Sequence, residues 1–299
     1  MSGALVVLVG QAAQDCIFAV PELPSKPIKY RADHLTLVGG GLSANAAVAV
    51  ARLGGKARLV GRLGDDAIGE EIVRGLQAED VDCAWVKRFE GRRSPLSMVA
   101  VEPQGERIII NYTDPGMPDA TDWLPEELPP HTRAVMGDVR WPSGVHHIFG
   151  LARRLGLPAV LDADRAILDP TLVEHATHIV YSAQALSEET GCGDLKRGLT
   201  ALRWKHAYCL AVTDGADGTW FTNEGDILHC PACPIDVVDT LAAGDTFHGA
   251  LTLALAEDLP DLAAFRFASA AAALKCTRFG GRNGIPYRGE VEELMRRAA

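Results

Sequence analysis

The sequence predicts an α/β protein: a parallel sheet flanked by helices, with a small β-sheet beside it. Two observations carry this. In the second half, short apolar runs that stop at polar residues (RAVMGDV, AVLDAD, HIVYS and AYCLAVTD) alternate with stretches of helical composition, the pattern of buried parallel strands joined by helices. In the first half, proline-broken runs of alternating polarity suit a smaller, partly exposed sheet.

Taken in order, ALVVLVG is a buried first strand, and 16–38 is short β structure interrupted by Pro21, Pro24 and Pro27. From Ser43 an Ala-rich helix runs to a Gly pair that suits its C-terminus. ARLVGRLG reads as a strand and DAIGEEIVRGLQAE as a helix. VDCAWVKRF, PLSMVAVE and ERIIINY are three more β-like runs, expected to join 16–38 in the small sheet. Helices GDTFHGALTLALAE and DLAAFRFASAAAALKC complete the layer. The Pro/Gly clusters read as turns, so 1–299 is expected to form one domain.

The chain has 299 residues and a net charge of −10, from 29 Lys+Arg against 39 Asp+Glu. Without a basic stripe it is not a polyanion-coating protein, so any anionic ligand must be small and held locally. A hydrophobic fraction of 47% with 23% charged residues is a globular composition, not a disordered one. No cation precedes the first apolar run and no run reaches membrane-spanning length, so a cytoplasmic location is expected. The seven cysteines lack framework spacing and read as reduced thiols; Cys230-Pro-Ala-Cys233 is a lone pair better read as packed thiols than as a zinc site.

The most informative stretch is Asp239-Thr-Leu241-Ala242-Ala243-Gly244-Asp245. Small residues end a β segment and open an apolar helix, whose first N–H groups lack intrahelical partners and favour an anion. Asp245 beside such a site would repel a phosphoryl group, which makes sense for a base that takes the proton of an attacking hydroxyl. The competing reading is an ordinary first-turn Asp. In Gly39-Gly40-Gly41-Leu-Ser-Ala-Asn45, glycines allow close backbone approach and Asn45 offers a donor and an acceptor to a polyol. Asp15 could accept from two sugar hydroxyls or be a solvated turn residue. Gly10 to Asp15 lacks the glycine spacing of a dinucleotide fold, which excludes a dehydrogenase reading. By position, Gly10–Asp15, Asp138–Trp141, Asp162–Arg165 and Thr213–Gly218 should face one crevice at the carboxyl ends of the strands.

Asp15, GGG with Asn45, ARLGGKARLVGRLGDDAIG and DTLAAGDTF together resemble the ribokinase-type, or PfkB, carbohydrate kinases over essentially the whole chain. The resemblance implies a three-layer ribokinase-like fold with a central mostly parallel sheet and a β lid, formed by about 16–38 and 81–112, that often mediates dimerisation; a homodimer is therefore expected. It implies Asp245 as base, the N–H groups of Ala242, Ala243 and Gly244 as anion hole, and Asp15, Gly40, Gly41 and Asn45 as sugar contacts. Thr213, Gly215 and Gly218 resemble the turn beside ATP, together with Gly244. Asp239 and the carbonyl of Leu241 resemble part of a monovalent-cation (K⁺) site. The family's Asn-x-x-Glu motif, which organises Mg²⁺, is missing from Tyr181–Glu189. Mg-ATP is still expected as cosubstrate, with Glu188 or Glu189 as substitute metal organisers or plain surface residues.

GERIIINY, DVRW and FASAAAALKCTRFGGRNGIP resemble the bacterial 6-deoxy-6-sulfofructose kinases. That resemblance implies Lys29, Asn111 and Arg140 as sulfonate ligands, a donor set suited to a permanent anion; the competing reading pairs Arg140 with Asp138 or Asp164 and leaves Lys29 solvated. Asn45 is the family residue for neutral sugars and favours a ketohexokinase- or fructokinase-like enzyme, or a ribokinase. A non-catalytic sugar- or nucleotide-binding protein on the same scaffold is the reading from another class.

Overall fold

A computed structural model describes residues 3–104, 106–202 and 207–298. The first half contains β1 (Leu5–Val9), β2 (Ala13–Ala19), β3 (His34–Gly40), α1 (Leu42–Arg52), β4 (Lys56–Gly64), α2 (Ala67–Gln77), β5 (Val81–Phe89), β6 (Leu96–Val101) and β7 (Arg107–Tyr112). The second half adds β8 (Thr132–Asp138), α3 (Pro142–Arg154), β9 (Ala159–Ala163), β10 (His178–Ser182), α4 (Ala183–Thr190), α5 (Leu195–Ala201) and β11 (Cys209–Thr213). It closes with β12 (Thr219–Asn223), β13 (Asp226–Cys230), α6 (Ala243–Ala256), α7 (Asp261–Cys276) and α8 (Arg288–Ala298).

Nine strands form the large sheet in the order β13-β12-β11-β10-β9-β8-β1-β4-β5. All neighbours from β11 to β5 are parallel, and β12 and β13 extend it as an antiparallel edge. The four-residue run Val6–Val9 is fully buried and divides by period two: Val6 and Leu8 face the core under α1, α2, α6, α7 and α8, whereas Val7 and Val9 face the core under α3, α4 and α5. Such two-sided burial is why the strand reads as an unbroken apolar run, and each of its side chains contributes about 1.5–3 kcal/mol. Helices α1 and α6 approach closely because Gly249 has no side chain; a Cβ there would lie 2.5 Å from the Ala46 carbonyl oxygen.

The small sheet has the order β3-β2-β6-β7. One expectation fails here. VDCAWVKRF was assigned to the small sheet, but as β5 it pairs in parallel with β4 at the edge of the large one. The part of 81–112 that belongs to the small sheet therefore begins at β6 and not at residue 81. No helix among the described residues is long and apolar enough to cross a membrane, and the seven cysteines are free thiols.

Candidate active site

Helix α6 starts without a side-chain cap, unlike α2, α4 and α5, whose Asp66, Ser182 and Asp194 side chains accept from first-turn N–H groups. Its N-cap is Ala242 in the left-handed region (φ 64°), a conformation that costs a non-glycine residue free energy and is held here by its surroundings. Among the described residues no acceptor lies on the N–H groups of Ala242 and Gly244, and a Cβ on Gly244 would meet only open space. Ala243 differs from expectation: its N–H donates to the Thr240 carbonyl at 3.2 Å. The opening for an anion is therefore narrower than the three-residue hole that the motif implies.

Asp245 follows in the first turn, half-buried. Burial of its carboxylate pushes its pKa up to about 7; a hydrogen bond from Asn45 opposes this, and the charges of Asp164, Asp15 and Asp138 add to it. Asn45 Nδ2 donates to Asp245 Oδ2 at 2.6 Å, while Asn45 Oδ1 accepts from Arg282 Nε at 2.8 Å. The guanidinium also donates through Nη2 to the Gly40 carbonyl at 2.9 Å. Burial brings Arg282 down to about 10 and the Asp15 carboxylate supports its charge. Both ends of the Asn45 amide are thus engaged by protein, and its orientation is fixed by an arginine the motifs do not announce.

The glycine run serves these side chains. A Cβ on Gly39 would lie 1.8 Å from Arg282 Nη1 and one on Gly40 would lie 2.3 Å from both Asp15 oxygens. Close approach was expected, but of a ligand; in this structure protein groups take the space. Gly41 has φ 89° and turns the chain from β3 into α1. Asp15 is 8% exposed, and burial raises its carboxyl against a hydrogen bond from Ser97 and the charge of Arg282.

Asp138 ties the carboxyl ends of β1 and β8 to the start of α1. Its Oδ2 accepts from Gln11 N at 2.8 Å, Ser43 N at 3.2 Å and Ser43 Oγ at 2.6 Å, and its Oδ1 accepts from Arg140 N at 2.9 Å. The Arg140 side chain pairs with Asp164, whose other oxygen is buried without a hydrogen-bond partner among the described residues. Asp162 is pushed well above the usual carboxylate range by burial and by Asp164, Asp245 and Asp138. Burial also brings His248 down to about 4, so its neutral ring donates from Nδ1 to the Gly244 carbonyl at 2.7 Å. Asn111 pairs with Ser97, and Ser97 with Asp15, so the three share one face of the small sheet. Lys29 is exposed on the loop between β2 and β3 and forms no ion pair among the described residues. The structure thus places Asp15, Asn45, Asp245 and Arg282 in one network, puts Arg140 beside Asp138 and Asp164, and leaves Lys29 apart.

At the carboxyl end of β11, Thr213 has its hydroxyl on the Tyr181 carbonyl at 3.3 Å. Gly215 (φ 49°) has open space where a Cβ would be, whereas Gly218 is required by packing, since a Cβ would lie 2.3 Å from the Cys230 carbonyl oxygen. Glu188 pairs with Gln184 on the surface of α4, and Glu189 accepts from the Ile167 N–H at 2.8 Å, tying down the loop after Asp164. Asp239 Oδ1 accepts from Leu241 N at 2.8 Å. Sequence reasoning missed three groups. These are Arg282, whose clue was a cation inside the Gly-rich FGGRNG; Lys275, a cation ending an Ala-rich helix; and the clamp role of Asp138.

Three comparisons bear on this arrangement. Residues 4–288 match the sequence model of the pfkB family carbohydrate kinases. A ribokinase of Bacillus subtilis is 28% identical over 97% of this chain and 99% of its own, and a fructokinase of Klebsiella pneumoniae is 31% identical over 86% and 91%. A crystal structure of an Agrobacterium tumefaciens protein provisionally described as a ribokinase superposes with a TM-score of 0.94 at 38% identity, covering 99% of this chain and 98% of that one. Arabidopsis thaliana ribokinase, solved with ribose and ATP, gives 0.84 at 25% identity over 98% and 99%. With the fold, the open end of α6 and Asp245 in place, this chain belongs to the pfkB family and is a carbohydrate kinase, a phosphotransferase with an alcohol group as acceptor.

Proposed function

We propose that the chain transfers the γ-phosphoryl group of ATP to a primary hydroxyl of a small sugar, with Asp245 as general base. The observation that carries this is a half-buried carboxyl with a pKa of about 7 at the uncapped N-terminus of α6. A base poised near working pH can both take the hydroxyl proton and be ionised when needed. Asn45 aims the carboxylate, Arg282 holds Asn45, and Asp15 meets the sugar hydroxyls from the small sheet. The N–H groups of Ala242 and Gly244 stabilise the phosphoryl oxygens, and that of Ala243 joins them if its bond to Thr240 opens. Thr213 and Gly215 border the nucleotide.

Mg²⁺ accompanies ATP and neutralises charge between its phosphates. The donor chemistry here suits it, because a hard cation keeps water and phosphate oxygens and needs only one or two carboxylates, and Asp164 presents an unpartnered buried oxygen.

For the acceptor, a neutral pentose or ketohexose is the best-supported reading. Arg140 is already neutralised by Asp164, Asn45 is present, and the relatives above are named ribokinase and fructokinase. A second reading, 6-deoxy-6-sulfofructose, is favoured by one observation: Asn111 lies in register with Ser97 and Asp15, on the same face of the small sheet. Steady-state kinetics on ribose, fructose, fructose 6-phosphate and 6-deoxy-6-sulfofructose with Mg-ATP tests both. A neutral-sugar kinase shows its highest kcat/KM on ribose or fructose, and Arg140→Ala changes that little. A sulfosugar kinase loses its preferred substrate in Arg140→Ala far more than fructose. Turnover of none of the four, or wild-type kcat in Asp245→Asn, contradicts the assignment.

The outer face of the small sheet, where Leu35, Leu37 and Ile110 are 57%, 63% and 59% exposed, is the surface we assign to a homodimer.

A further inference from the structure

Lys275 lies in the last turn of α7 with no exposed surface. Its Nζ donates to the Asp239 carbonyl at 2.7 Å, to Asp239 Oδ2 at 3.1 Å and to the Arg278 carbonyl at 3.4 Å. The same Oδ2 accepts the N–H groups of Gly280 at 3.0 Å and Gly281 at 3.2 Å. Burial lowers the lysine pKa while the Asp239 carboxylate holds it up. For Asp239, burial works to raise the carboxyl, but the Leu241 and Gly281 N–H groups and the ammonium outweigh it and keep it below its ordinary value.

A carboxylate and main-chain carbonyls are the donor set of a hard monovalent cation, and here the chain's own ammonium fills it. Asp239 Oδ2 already faces three donors, so K⁺ does not fit beside the lysine. From this one ion pair two strings of contacts run to the proposed chemistry. Asp239 fixes Leu241 N, and Ala242 and Gly244 follow directly. Asp239 also fixes Gly280 and Gly281, and Arg282 follows them to Asn45 and Asp245.

We propose that Lys275 is a tethered substitute for a free monovalent cation: a positioning residue that locks the anion-binding turn and the base network together, so that this kinase works without added potassium. The inference rests on the reading of Ala242 to Gly244 as the phosphoryl site.

The test compares KCl, NaCl and tetramethylammonium chloride at equal ionic strength, reading Tm, ADP affinity, and kcat and KM on the sugar turned over. The wild type is expected to be indifferent to the cation in all of these. Lys275→Ala, which leaves the carbonyls and carboxylate around an empty space, is expected to lose kcat on the order of 100-fold, the cost of a small misplacement, with sugar KM little changed. KCl should then restore part of kcat and raise the variant's Tm, and tetramethylammonium should not. Lys275→Met, which fills the space without charge, should not be rescued. A severalfold rise of wild-type kcat or a clear rise of wild-type Tm in KCl overturns the proposal, as does full activity of Lys275→Ala in tetramethylammonium chloride. If the variants fail to fold, the wild-type series decides alone. Failure of the Asp245 assignment is seen separately, as turnover that survives in Asp245→Asn in every salt.

Discussion

Asp245→Asn should remove turnover and at the same time make the protein more stable. The folded carboxyl has a pKa of about 7, whereas an unfolded Asp titrates near about 3.9. A raised carboxyl binds its proton more tightly in the folded state, so wild-type stability is complete below about pH 4 and is lost as pH rises through about 7. About three pH units at about 1.4 kcal/mol each give a penalty near 4 kcal/mol at pH 8, falling to about 1.5 kcal/mol at pH 5 and to little below pH 4. Because the side chain is only half-buried, solvent screening trims the pH 8 figure to about 2–4 kcal/mol. An amide at 245 never ionises and still presents an oxygen to Asn45 Nδ2, so the variant escapes the penalty without orphaning its partner. Urea unfolding of both proteins at pH 5, 6, 7 and 8, at one protein concentration, reads the difference. The gap should widen steadily with pH. A variant no more stable than wild type at pH 8, or a gap independent of pH, would refute the account of burial at this site.

Three other outcomes follow from the same contacts. Asn45→Ala removes a hydrogen bond to a charged group worth about 1.5–3 kcal/mol, so the acidic limb of log kcat/KM should move up by roughly one to two pH units from about 7; a limb that stays or falls contradicts the network. Arg282→Met strands Asn45 Oδ1, the Gly40 carbonyl and the Asp15 charge, and should cost about 3–5 kcal/mol in urea unfolding; a loss under about 1 kcal/mol would show that the guanidinium is not what holds them. Leu37→Glu on the outer face of the small sheet should turn a dimer into a monomer by light scattering, and a monomeric wild type would dismiss that surface.

How far the sequence could be read depended on whether a residue's role is local. The central strands β1, β10 and β11 were legible because two-sided burial leaves them as short apolar runs, and the α6 entrance because helix-end chemistry lies within a few consecutive residues. VDCAWVKRF was placed in the wrong sheet because as an edge strand it is half-exposed along most of its length, and nothing in such a pattern names its neighbour. Arg282 acquires its meaning from Asn45, 237 residues away, so no window of sequence contains the reason for it. Lys275 reads locally as a basic residue in a helix's last turn, where solvation is the usual fate; only the fold brings Asp239 to it. The glycine run was recognised as a place of close approach, but that Arg282 and Asp15 do the approaching is visible only in three dimensions.

The chain crosses between the two sheets four times, and a single side chain ties two of those crossings together. The chain leaves the large sheet between Val9 and Ala13 and returns through Gly41, and Asp138 fastens both passages by holding Gln11 and Ser43. The small sheet is thus fastened beside Asp15 and Asn45, and the β5–β6 and β7–β8 connections join it to the large sheet at two further places. One buried carboxylate therefore sets how Asp15 and Asn45, which stand on different elements, sit relative to each other.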